Sequence, residues 1–396
     1  MSHAAGGTIV VVGASVASAA FVSEARHLGH EGVIVVVDSD VDAPYDRPPL
    51  SKEFLSAGSE QLDRPGAPWW DARCEFVRAH ATSLALDHLR VHLRADDGLE
   101  WDLSADHVVI ATGASPIALP DEPDGVLSLR TAADARVLRQ HLRDRASLAI
   151  IGAGAIGTEL ASSASAAGCE VAVLDRARHP LERLLGGHLG AEAAKWMSDA
   201  GINTFLGGNI DKISRLDSGW SVNVGVEEVR ADVVVSAVGS RPLIHWLKDS
   251  SLQLIDGVRC DADGAALNAA GLPVPGVHAI GDAAAWRTFE GAFRRHEDWT
   301  SAQRQGRHVA QRLFGGAPGS IDREPAYFWT HQFGRRIQVL GDPSAGDRLV
   351  QHVDVPEKRA AFYTVEQADG ETVAWVAVNR PREFALAMRD ASKVVG

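Results

Sequence analysis

Two segments of the chain, 8–38 and 147–175, share one pattern of apolar and polar positions. Each begins with an apolar run that ends at a glycine, Gly13 in the first and Gly152 in the second. A stretch rich in small residues follows, and then a second apolar run that ends at an aspartate. Uninterrupted apolar runs are typical of parallel strands that are buried on both faces. The repeat therefore predicts two βαβ units, each with a tight turn between its first strand and its helix.

Further runs complete the predicted elements. Segments 107–113 and 232–239 each end at a glycine, and we expect each to close the sheet that its βαβ unit opens. Segment 276–282 predicts a strand that ends at Gly-Asp, and a helix is expected over 299–313. Beyond residue 323 the pattern changes and predicts a separate C-terminal domain, with a mostly antiparallel sheet and a closing helix, in segments 325–341, 349–353, 361–365, 372–378 and 381–393.

Composition narrows the classes of protein. The 396 residues suggest two or three domains, at roughly 100–200 residues per domain. A formal net charge of −13 makes the chain a poor candidate for non-specific nucleic-acid binding. No run approaches the ~18 apolar residues of a membrane span, and no basic region precedes an apolar stretch at the start. We therefore expect neither a nucleic-acid nor a membrane partner, and a cytoplasmic location.

The second repeat contains a complete dinucleotide-binding motif. Residues 152–157 read Gly-Ala-Gly-Ala-Ile-Gly between an apolar strand and a predicted helix. Gly152 makes the tight turn, Gly154 lets backbone N–H groups approach a pyrophosphate, and Gly157 lets helix and strand pack closely. The positive end of the helix then faces the phosphates. Asp175, about 20 residues further on, is placed to accept hydrogen bonds from a ribose hydroxyl.

The choice between NADH and NADPH is less clear from the residues. The Asp175 carboxylate repels a 2′-phosphate, which favours NADH. Arg176 and Arg178 follow directly and could instead hold that phosphate, or they could be solvated loop charges. The sequence favours NADH and leaves NADPH open.

The first repeat retains only the first glycine of the motif. Ser15 and Ser18 stand where the second and third glycines would be, and both are small enough for a close approach. Ser18, at the helix-packing position, is expected to loosen dinucleotide binding. The next strand ends in Asp-Ser-Asp at 38–40, and one of these residues is expected to hold the ribose.

The segment 44–52 reads Pro-Tyr-Asp-Arg-Pro-Pro-Leu-Ser-Lys. Its three prolines favour an extended loop, because each restricts φ to about −65°. Arg47 and Lys52 could reach a diphosphate or a flavin from such a loop. An ordered turn without a ligand is the alternative interpretation.

Taken together, these motifs resemble the NADH-dependent ferredoxin reductases of ring-hydroxylating dioxygenase and bacterial haem monooxygenase systems. Rubredoxin reductases and the apoptosis-inducing-factor group are related families. The resemblance covers essentially the whole chain, and its marks occur in order: the turn at Gly13, then 44–52, 111–113, 152–159, 279–282, 297–303 and 327–332.

The resemblance implies an α/β protein of the glutathione-reductase-like flavoprotein fold, with two nested Rossmann-like domains and an α+β C-terminal domain. The FAD-binding domain would be split into 1–113 and 241–322. An NAD(P)H-binding domain would occupy 114–240, and the C-terminal domain would occupy 323–396. FAD and NADH are the implied cofactors.

Site residues follow from the resemblance position by position. Asp282 would bond the ribityl chain or the nearby phosphate, and Lys52 would lie near the flavin. Glu159 would reach the nicotinamide side, where we expect it to form an ion pair with Lys52 beside flavin N5. An ordinary carboxylate in the first turn of a helix is the alternative for Glu159. The cofactor-binding residues are then Gly13, Ser15, Ala17, Asp38, Ser39, Asp40, Arg47, Lys52, Ala81, Arg130, Gly152, Gly154, Ile156, Gly157, Asp175, Gly239, Asp282, Trp299 and Trp329.

The implied chemistry is hydride transfer from NADH to FAD and release of single electrons to an iron–sulfur protein, with Lys52 and Glu159 as the catalytic residues. The chain has no Cys-x-x-Cys pair among its three cysteines, Cys74, Cys169 and Cys260. Their spacing excludes a disulfide reductase, which needs a redox dithiol, and makes a water-forming NADH oxidase a weaker interpretation. The 16 histidines show no zinc-ligand spacing, and no metal site is predicted.

Two alternatives stay open. One is a flavin reductase or oxidase that acts on a small molecule or O₂ without a protein partner. The other is a non-enzymatic, NADH-sensing flavoprotein, and the chain could be a monomer or a homodimer in any of these cases. An acidic ferredoxin would need a local basic patch, for which the candidates are Arg294, Arg295, Arg335, Arg336, Arg380, Arg382, Arg389 and Lys393.

Overall fold

The computed structural model describes residues 6–56, 62, 74–316 and 325–394. Its strands are β1 (Ile9–Val12), β2 (Ile34–Asp38), β3 (Glu75–Arg78), β4 (His80–Ala85), β5 (Arg90–Arg94), β6 (Glu100–Ser104), β7 (His107–Ile110), β8 (Ala114–Pro116), β9 (Leu148–Ile151), β10 (Val171–Asp175), β11 (Asn203–Leu206), β12 (Ile210–Arg215), β13 (Trp220–Val224), β14 (Glu227–Ala231), β15 (Val233–Ser236), β16 (Ser240–Pro242), β17 (Val258–Cys260), β18 (Ala265–Leu267), β19 (Pro273–Ala279), β20 (Ala284–Arg287), β21 (Phe293–Arg295), β22 (Tyr327–Gln332), β23 (Arg335–Gly341), β24 (Arg348–Val355), β25 (Ala360–Glu366) and β26 (Thr372–Val378).

Its α-helices are α1 (Val16–His27), α2 (Glu53–Ser56), α3 (Ala132–Arg143), α4 (Ala155–Ala166), α5 (Glu182–Leu185), α6 (Gly190–Asp199), α7 (Trp299–Phe314) and α8 (Pro381–Val394). Short 3₁₀ turns lie at Pro48–Ser51 and Gly281–Ala283. The chain divides into two compact units. The first unit spans 1–46, 63–115 and 241–324, and the second spans 47–62, 116–240 and 325–396.

The first unit is built on a mixed sheet with the strand order β21-β20-β17-β18-β19-β7-β1-β2-β3. β1 pairs in parallel with β2 and β7, and β7 pairs in parallel with β19. The residues of β1 are buried because the sheet is central to the core, where α1 also buries its alanines and Phe21. This is the first predicted βαβ unit, with β7 closing its sheet as expected. An antiparallel sheet of order β4-β5-β6 completes this unit.

The second unit repeats the arrangement in a smaller parallel sheet of order β11-β10-β9-β15. Here β9 and β10 flank α4, and β15 closes the sheet beside β9, as the repeat predicted. Helix α3 begins with a capping box, in which Thr131 and Asp134 each satisfy the other's backbone N–H. An antiparallel sheet of order β12-β13-β14 adds to the same unit.

The C-terminal region of the second unit is an antiparallel sheet of order β22-β23-β26-β25-β24, followed by α8. The segment 325–341 forms two strands rather than one continuous run, because Phe333 and Gly334 both adopt positive φ (51° and 67°) and turn the chain. The resulting hairpin places β22 at the edge of the sheet beside β23. This edge strand contains Thr330, which contributes to the candidate site.

The α/β fold class is confirmed, with both βαβ units and the closing α+β region in place. The contact units differ from the predicted domains in two main respects. Residues 116–240 and 325–396, which were predicted as two domains, form one unit. Segment 47–62 groups with the second unit, because its 3₁₀ turn packs against α3 and α4 and its helix α2 against α3. No described helix is long and apolar enough to cross a membrane.

Candidate functional site

Both repeats place a glycine in a backbone conformation that other residues rarely adopt. Gly13, directly after β1, has φ of +106°, and Gly152, directly after β9, has φ of +113°. A Cβ atom at Gly13 would lie 2.2 Å from the carbonyl oxygen of Ala111, and one at Gly152 would lie 2.4 Å from that of Ala237. Contacts this short are sterically forbidden, so only glycine fits either turn.

The turn in the second unit has the shape of a dinucleotide cradle. A Cβ at Gly157 would lie 1.9 Å from the carbonyl oxygen of Gly152, so this glycine lets α4 pack directly on the turn. A Cβ at Gly154 would meet nothing within 4 Å, so the backbone there is open to a ligand. No side chain caps the helix, and its first N–H groups are available to a phosphate. The residues present therefore fit the dinucleotide that the motif implies.

The turn in the first unit accommodates its two serines in different ways. Ser18 is fully buried, and its hydroxyl donates a hydrogen bond to the carbonyl oxygen of Gly13. Its side chain thus replaces the direct packing of a glycine with a polar contact across the turn. Ser15 is the N-cap of α1 and makes no side-chain capping bond, and Ala17 is buried beneath it in the same helix. The open N-terminus of α1 fits a diphosphate in the same way as α4.

The strand-end aspartates have a role that the sequence did not reveal. Asp38 accepts hydrogen bonds from the backbone N–H groups of Ala14 and Asp40. Asp175 does the same for Ala153 and Ala177.

Each of these two carboxylates therefore holds its own glycine turn in place, with one oxygen committed to each backbone N–H. Asp40 accepts from the Tyr45 hydroxyl at 2.7 Å and from the Asp42 N–H at 3.1 Å, and Ser39 is exposed. These contacts do not decide which of the three residues at 38–40 binds a ribose, so that assignment stays a prediction.

A buried ion pair lies within the second unit. The Lys52 Nζ atom lies 2.8 Å from Glu159 Oε2, with side-chain exposures of 12% and 4%. Lys52 Nζ also donates to the carbonyl oxygen of Pro48 at 2.9 Å. Glu159 also accepts from the hydroxyls of Ser51 and Thr330. The expected pair between Lys52 and Glu159 is present, and the residues that surround it were not predicted.

The Gly-Asp motif and the tryptophan after it lie in the first unit. Gly281 has φ of +68°, and its N–H donates to Gln305 Oε1 at 2.7 Å, which fixes the turn that presents Asp282. Trp299 begins α7, and its Nε1–H donates to Asp46 at 3.0 Å. The Asp298 carboxylate caps the same helix by accepting from the N–H of Ser301.

The remaining predicted residues are distributed as follows. Ala81 lies in β4 of the first unit and is half-buried. In the second unit, Gly239 has φ of +120°, and the Trp329 ring stacks on Tyr327 with centroids 5.7 Å apart. Arg47 and Arg130 are half-buried in the second unit, and Ile156 of α4 is 43% exposed.

The arginines proposed as a basic patch are not all available. Arg295 is 8% exposed and pairs with Asp256 and Glu297, so it does not contribute to a surface charge. Within the second unit, Arg335 stacks over the ring of Trp196 at 4.9 Å, and Arg380 pairs with Glu383. Lys393 lies outside the side chains that the structure describes. The exposed candidates are Arg294, Arg336, Arg382 and Arg389.

The cysteines are free, with Cys74 and Cys169 half-buried and Cys260 buried. Burial raises the pKa of the Cys260 thiol well above its ordinary value, which makes it a poor nucleophile. Within 6–56, 62, 74–316 and 325–394, no group of three or more histidine, cysteine or acidic side chains has an arrangement that could hold a metal ion.

Comparison with known proteins places this geometry among reductases. Residues 7–306 match the family model "Pyridine nucleotide-disulphide oxidoreductase", and residues 327–392 match "Reductase C-terminal". The ferredoxin reductase component of chlorobenzene dioxygenase from Cupriavidus sp. (strain PS12) is 32% identical, over 96% of this chain and 91% of that protein. The ferredoxin–NAD(+) reductase subunit of the benzene 1,2-dioxygenase system from Pseudomonas putida is 31% identical over the same shares.

Solved structures show the same likeness. A ferredoxin reductase from Rhodopseudomonas palustris superposes with a TM-score of 0.85 at 28% identity, covering 94% of this chain and 91% of that one. Putidaredoxin reductase in its covalent complex with putidaredoxin gives a TM-score of 0.87 at 25% identity, covering 98% of this chain and 93% of that chain.

Proposed function

Since the chain belongs to the pyridine nucleotide-disulphide oxidoreductase family and ends in a reductase C-terminal domain, we propose that it is an FAD-dependent reductase. It takes electrons from NADH and passes them to a ferredoxin-type iron–sulfur protein that serves an oxygenase. Relatives at 30–32% identity over 96% of the chain are named ferredoxin reductases of dioxygenase systems. The observation that carries the proposal is the pair of matching glycine turns, one in each unit, each followed by an uncapped helix.

The two turns are assigned to different cofactors. Residues 1–113 and 241–322 would hold FAD, with the N-terminus of α1 at its diphosphate and Asp282 and Trp299 as further contacts. Residues 114–240 would hold NADH on the turn at Gly152, and 323–396 would form the C-terminal domain. Arg47, Arg130 and Trp329 complete the assigned flavin contacts.

When bound, the two cofactors supply the hydride and electron-transfer chemistry, and the protein orients them. The chain's own contribution is the buried pair of Lys52 and Glu159, which we assign to the flavin N5 and nicotinamide side of the site. Because both charges are shielded from water and paired at 2.8 Å, they form a fixed dipole that does not reorganise during the reaction. A redox dithiol is not available among the described cysteines, so the electrons leave through an external acceptor.

NADH is the expected donor because the Asp175 carboxylate would repel the 2′-phosphate of NADPH. The exposed arginines of the predicted patch are Arg294, Arg336, Arg382 and Arg389, and the ferredoxin would dock through a subset of these four. Their contribution would be mainly to the association rate, and it would weaken as salt is added.

The experiment that tests the proposal is an anaerobic titration of the purified protein with NADH and then with NADPH, following the flavin absorbance. Rapid bleaching by NADH, followed by reduction of cytochrome c that depends on added ferredoxin, is the expected result. A protein that takes up no FAD would contradict the proposal.

Two other results would identify the alternatives. Rapid turnover with O₂ or a small molecule, and no effect of ferredoxin, would indicate an oxidase or flavin reductase. Slow bleaching, a long-lived charge-transfer band and a change from monomer to homodimer would indicate an NADH-sensing flavoprotein.

A further inference from the structure

Three separate stretches of the chain meet at one buried carboxylate. Glu159 lies in α4, Ser51 ends the 3₁₀ turn at Pro48–Ser51, and Thr330 lies in β22. All three side chains are buried, and Thr330 has no exposed surface. Glu159 Oε1 accepts from Thr330 Oγ1 at 2.5 Å, and Oε2 accepts from Ser51 Oγ. Lys52 adds its ammonium group to Oε2.

The direction of these hydrogen bonds follows from their chemistry. An ionised carboxylate can only accept, so Thr330 must donate its hydroxyl proton to Glu159. The Thr330 oxygen is then left to accept, and Gln332 Nε2 donates to it at 3.2 Å. Gln332 is itself 3% exposed. The amide therefore orients the hydroxyl, and the hydroxyl orients the carboxylate.

The 3₁₀ turn that carries Ser51 is held against α4, the helix that carries Glu159. Ser163, one turn further along α4, donates its hydroxyl to the backbone carbonyl of Ser51 at 2.9 Å. This bond fastens the 3₁₀ turn to α4, so that Ser51 and Lys52 approach Glu159 from a fixed position. Because Lys52 also bonds the carbonyl of Pro48, its ammonium group has little freedom to leave.

The two oxygens of the Glu159 carboxylate differ in how many further hydrogen bonds they can accept. Among the described residues, Oε2 faces two donors and Oε1 faces only Thr330. An ionised carboxylate offers about four lone-pair sites in total, so Oε1 can accept one more hydrogen bond in its own plane. An amide N–H is a donor of the kind that this lone pair would accept.

We propose that Ser51, Thr330 and Gln332 are positioning residues, which hold Glu159 as an ionised acceptor with Oε1 directed towards an amide donor of the ligand. The nicotinamide carboxamide is a donor of this chemistry, and in this respect the inference rests on the proposed function. Thr330 and Gln332 come from the C-terminal region, which would thereby contribute to the NADH half-reaction.

The test compares Thr330→Val, which keeps the shape but removes the hydroxyl, with Thr330→Ser, which restores it. Thr364→Val is the matched control, because Thr364 is also buried in the same sheet and donates to a glutamate, Glu366, at 3.1 Å. Rapid mixing with NADH gives the limiting rate of flavin bleaching and the apparent Kd. We expect Thr330→Val to lower the limiting rate about tenfold and to change the Kd by less than about threefold. The variant loses the orientation of the Glu159 carboxylate but keeps the residues that bind NADH.

Thr330→Ser should recover the rate to within about twofold, and Thr364→Val should leave it unchanged. A Thr330→Val protein that bleaches as fast as wild type, or a Thr330→Ser protein as slow as Thr330→Val, would overturn the positioning role. The second result would mean that a hydroxyl at position 330 is not sufficient to position Glu159.

A second readout does not use the reaction. In the flavin-free protein, Thr330→Val should lower the unfolding midpoint by more than Thr364→Val, because it leaves a buried carboxylate with one donor fewer. A Thr330→Val midpoint equal to that of wild type would show that the hydroxyl does not stabilise Glu159 and would overturn the inference. If wild type itself does not bleach with NADH, the proposed function fails, and this comparison of midpoints still decides whether Thr330 stabilises Glu159.

Discussion

Removal of the ammonium group from the Lys52–Glu159 pair should destabilise the protein strongly. Lys52→Met keeps an unbranched side chain of similar reach but leaves the Glu159 carboxylate buried without its counter-charge. The pair is separated by 2.8 Å, and its side chains are only 12% and 4% exposed, so water cannot replace the missing cation. Desolvation of an unpaired charge is the dominant cost in such a variant.

The expected magnitude follows from the remaining contacts. Breaking a buried pair by removing one partner typically costs about 3–5 kcal/mol. Because the Ser51 and Thr330 hydroxyls still donate to Glu159, we expect a loss near the lower end, about 3 kcal/mol in the free energy of unfolding. Adding Glu159→Gln removes the charge and should recover most of this loss.

The measurement is a double-mutant cycle of Lys52→Met and Glu159→Gln, by urea unfolding of the flavin-free protein. Lys195→Met is the matched control, because the Lys195–Asp199 pair has almost the same separation, 2.7 Å, but exposures of 72% and 52%. That exposed pair should contribute little to stability, because water and salt screen its charges. If Lys52→Met costs no more than Lys195→Met, the reasoning from burial is wrong.

Three further predictions follow from single contacts. Burial lowers the pKa of His278 to about 4, so the free energy of unfolding should fall by up to roughly 3 kcal/mol as the pH drops from about 6.5 towards 4, where the unfolded state binds the proton first. His278→Leu should flatten this slope in urea titrations over that range, and an unchanged slope would refute the assignment. Gly157→Ala, whose Cβ would lie 1.9 Å from the Gly152 carbonyl, should weaken NADH binding at least about tenfold in calorimetry and lower stability, whereas Gly154→Ala should weaken binding alone. Asp175→Asn should lower the ratio of kcat/KM for NADH over NADPH, because it removes the charge that repels a 2′-phosphate; an unchanged ratio would show that Asp175 serves only the turn.

The parallel sheets and their glycine turns could be predicted because their causes are local. A strand buried on both faces needs a continuous apolar run, and a turn with φ above +100° requires glycine. Both conditions are visible in the residues before and after Gly13 and Gly152. Ser18 was expected to loosen dinucleotide binding, which stays a prediction, and the structure shows that its hydroxyl donates to the Gly13 carbonyl. A hydrogen bond of this kind depends on the rotation of one side chain, which no sequence pattern encodes.

The aspartates that end β2 and β10 illustrate the same limit. Their spacing from the glycines predicts a ribose ligand, and this role stays a prediction; the structure adds that Asp38 and Asp175 accept hydrogen bonds from backbone N–H groups of their own turns. The sequence lists the arginines of the predicted patch but does not show which of them are exposed. Arg295 is removed from the surface by ion pairs with Asp256 and Glu297, which lie 39 and 2 positions away in the sequence.

What the sequence determined by itself was the repeated strand–turn–helix pattern, the antiparallel character of the C-terminal region and the residue types of the candidate site. What only the tertiary structure decided was the environment of Glu159. Ser51 lies 108 residues before it and Thr330 lies 171 residues after it, and both meet its carboxylate through hydroxyls. Local periodicity does not record contacts between distant segments, because these depend on how three packed elements are oriented in space.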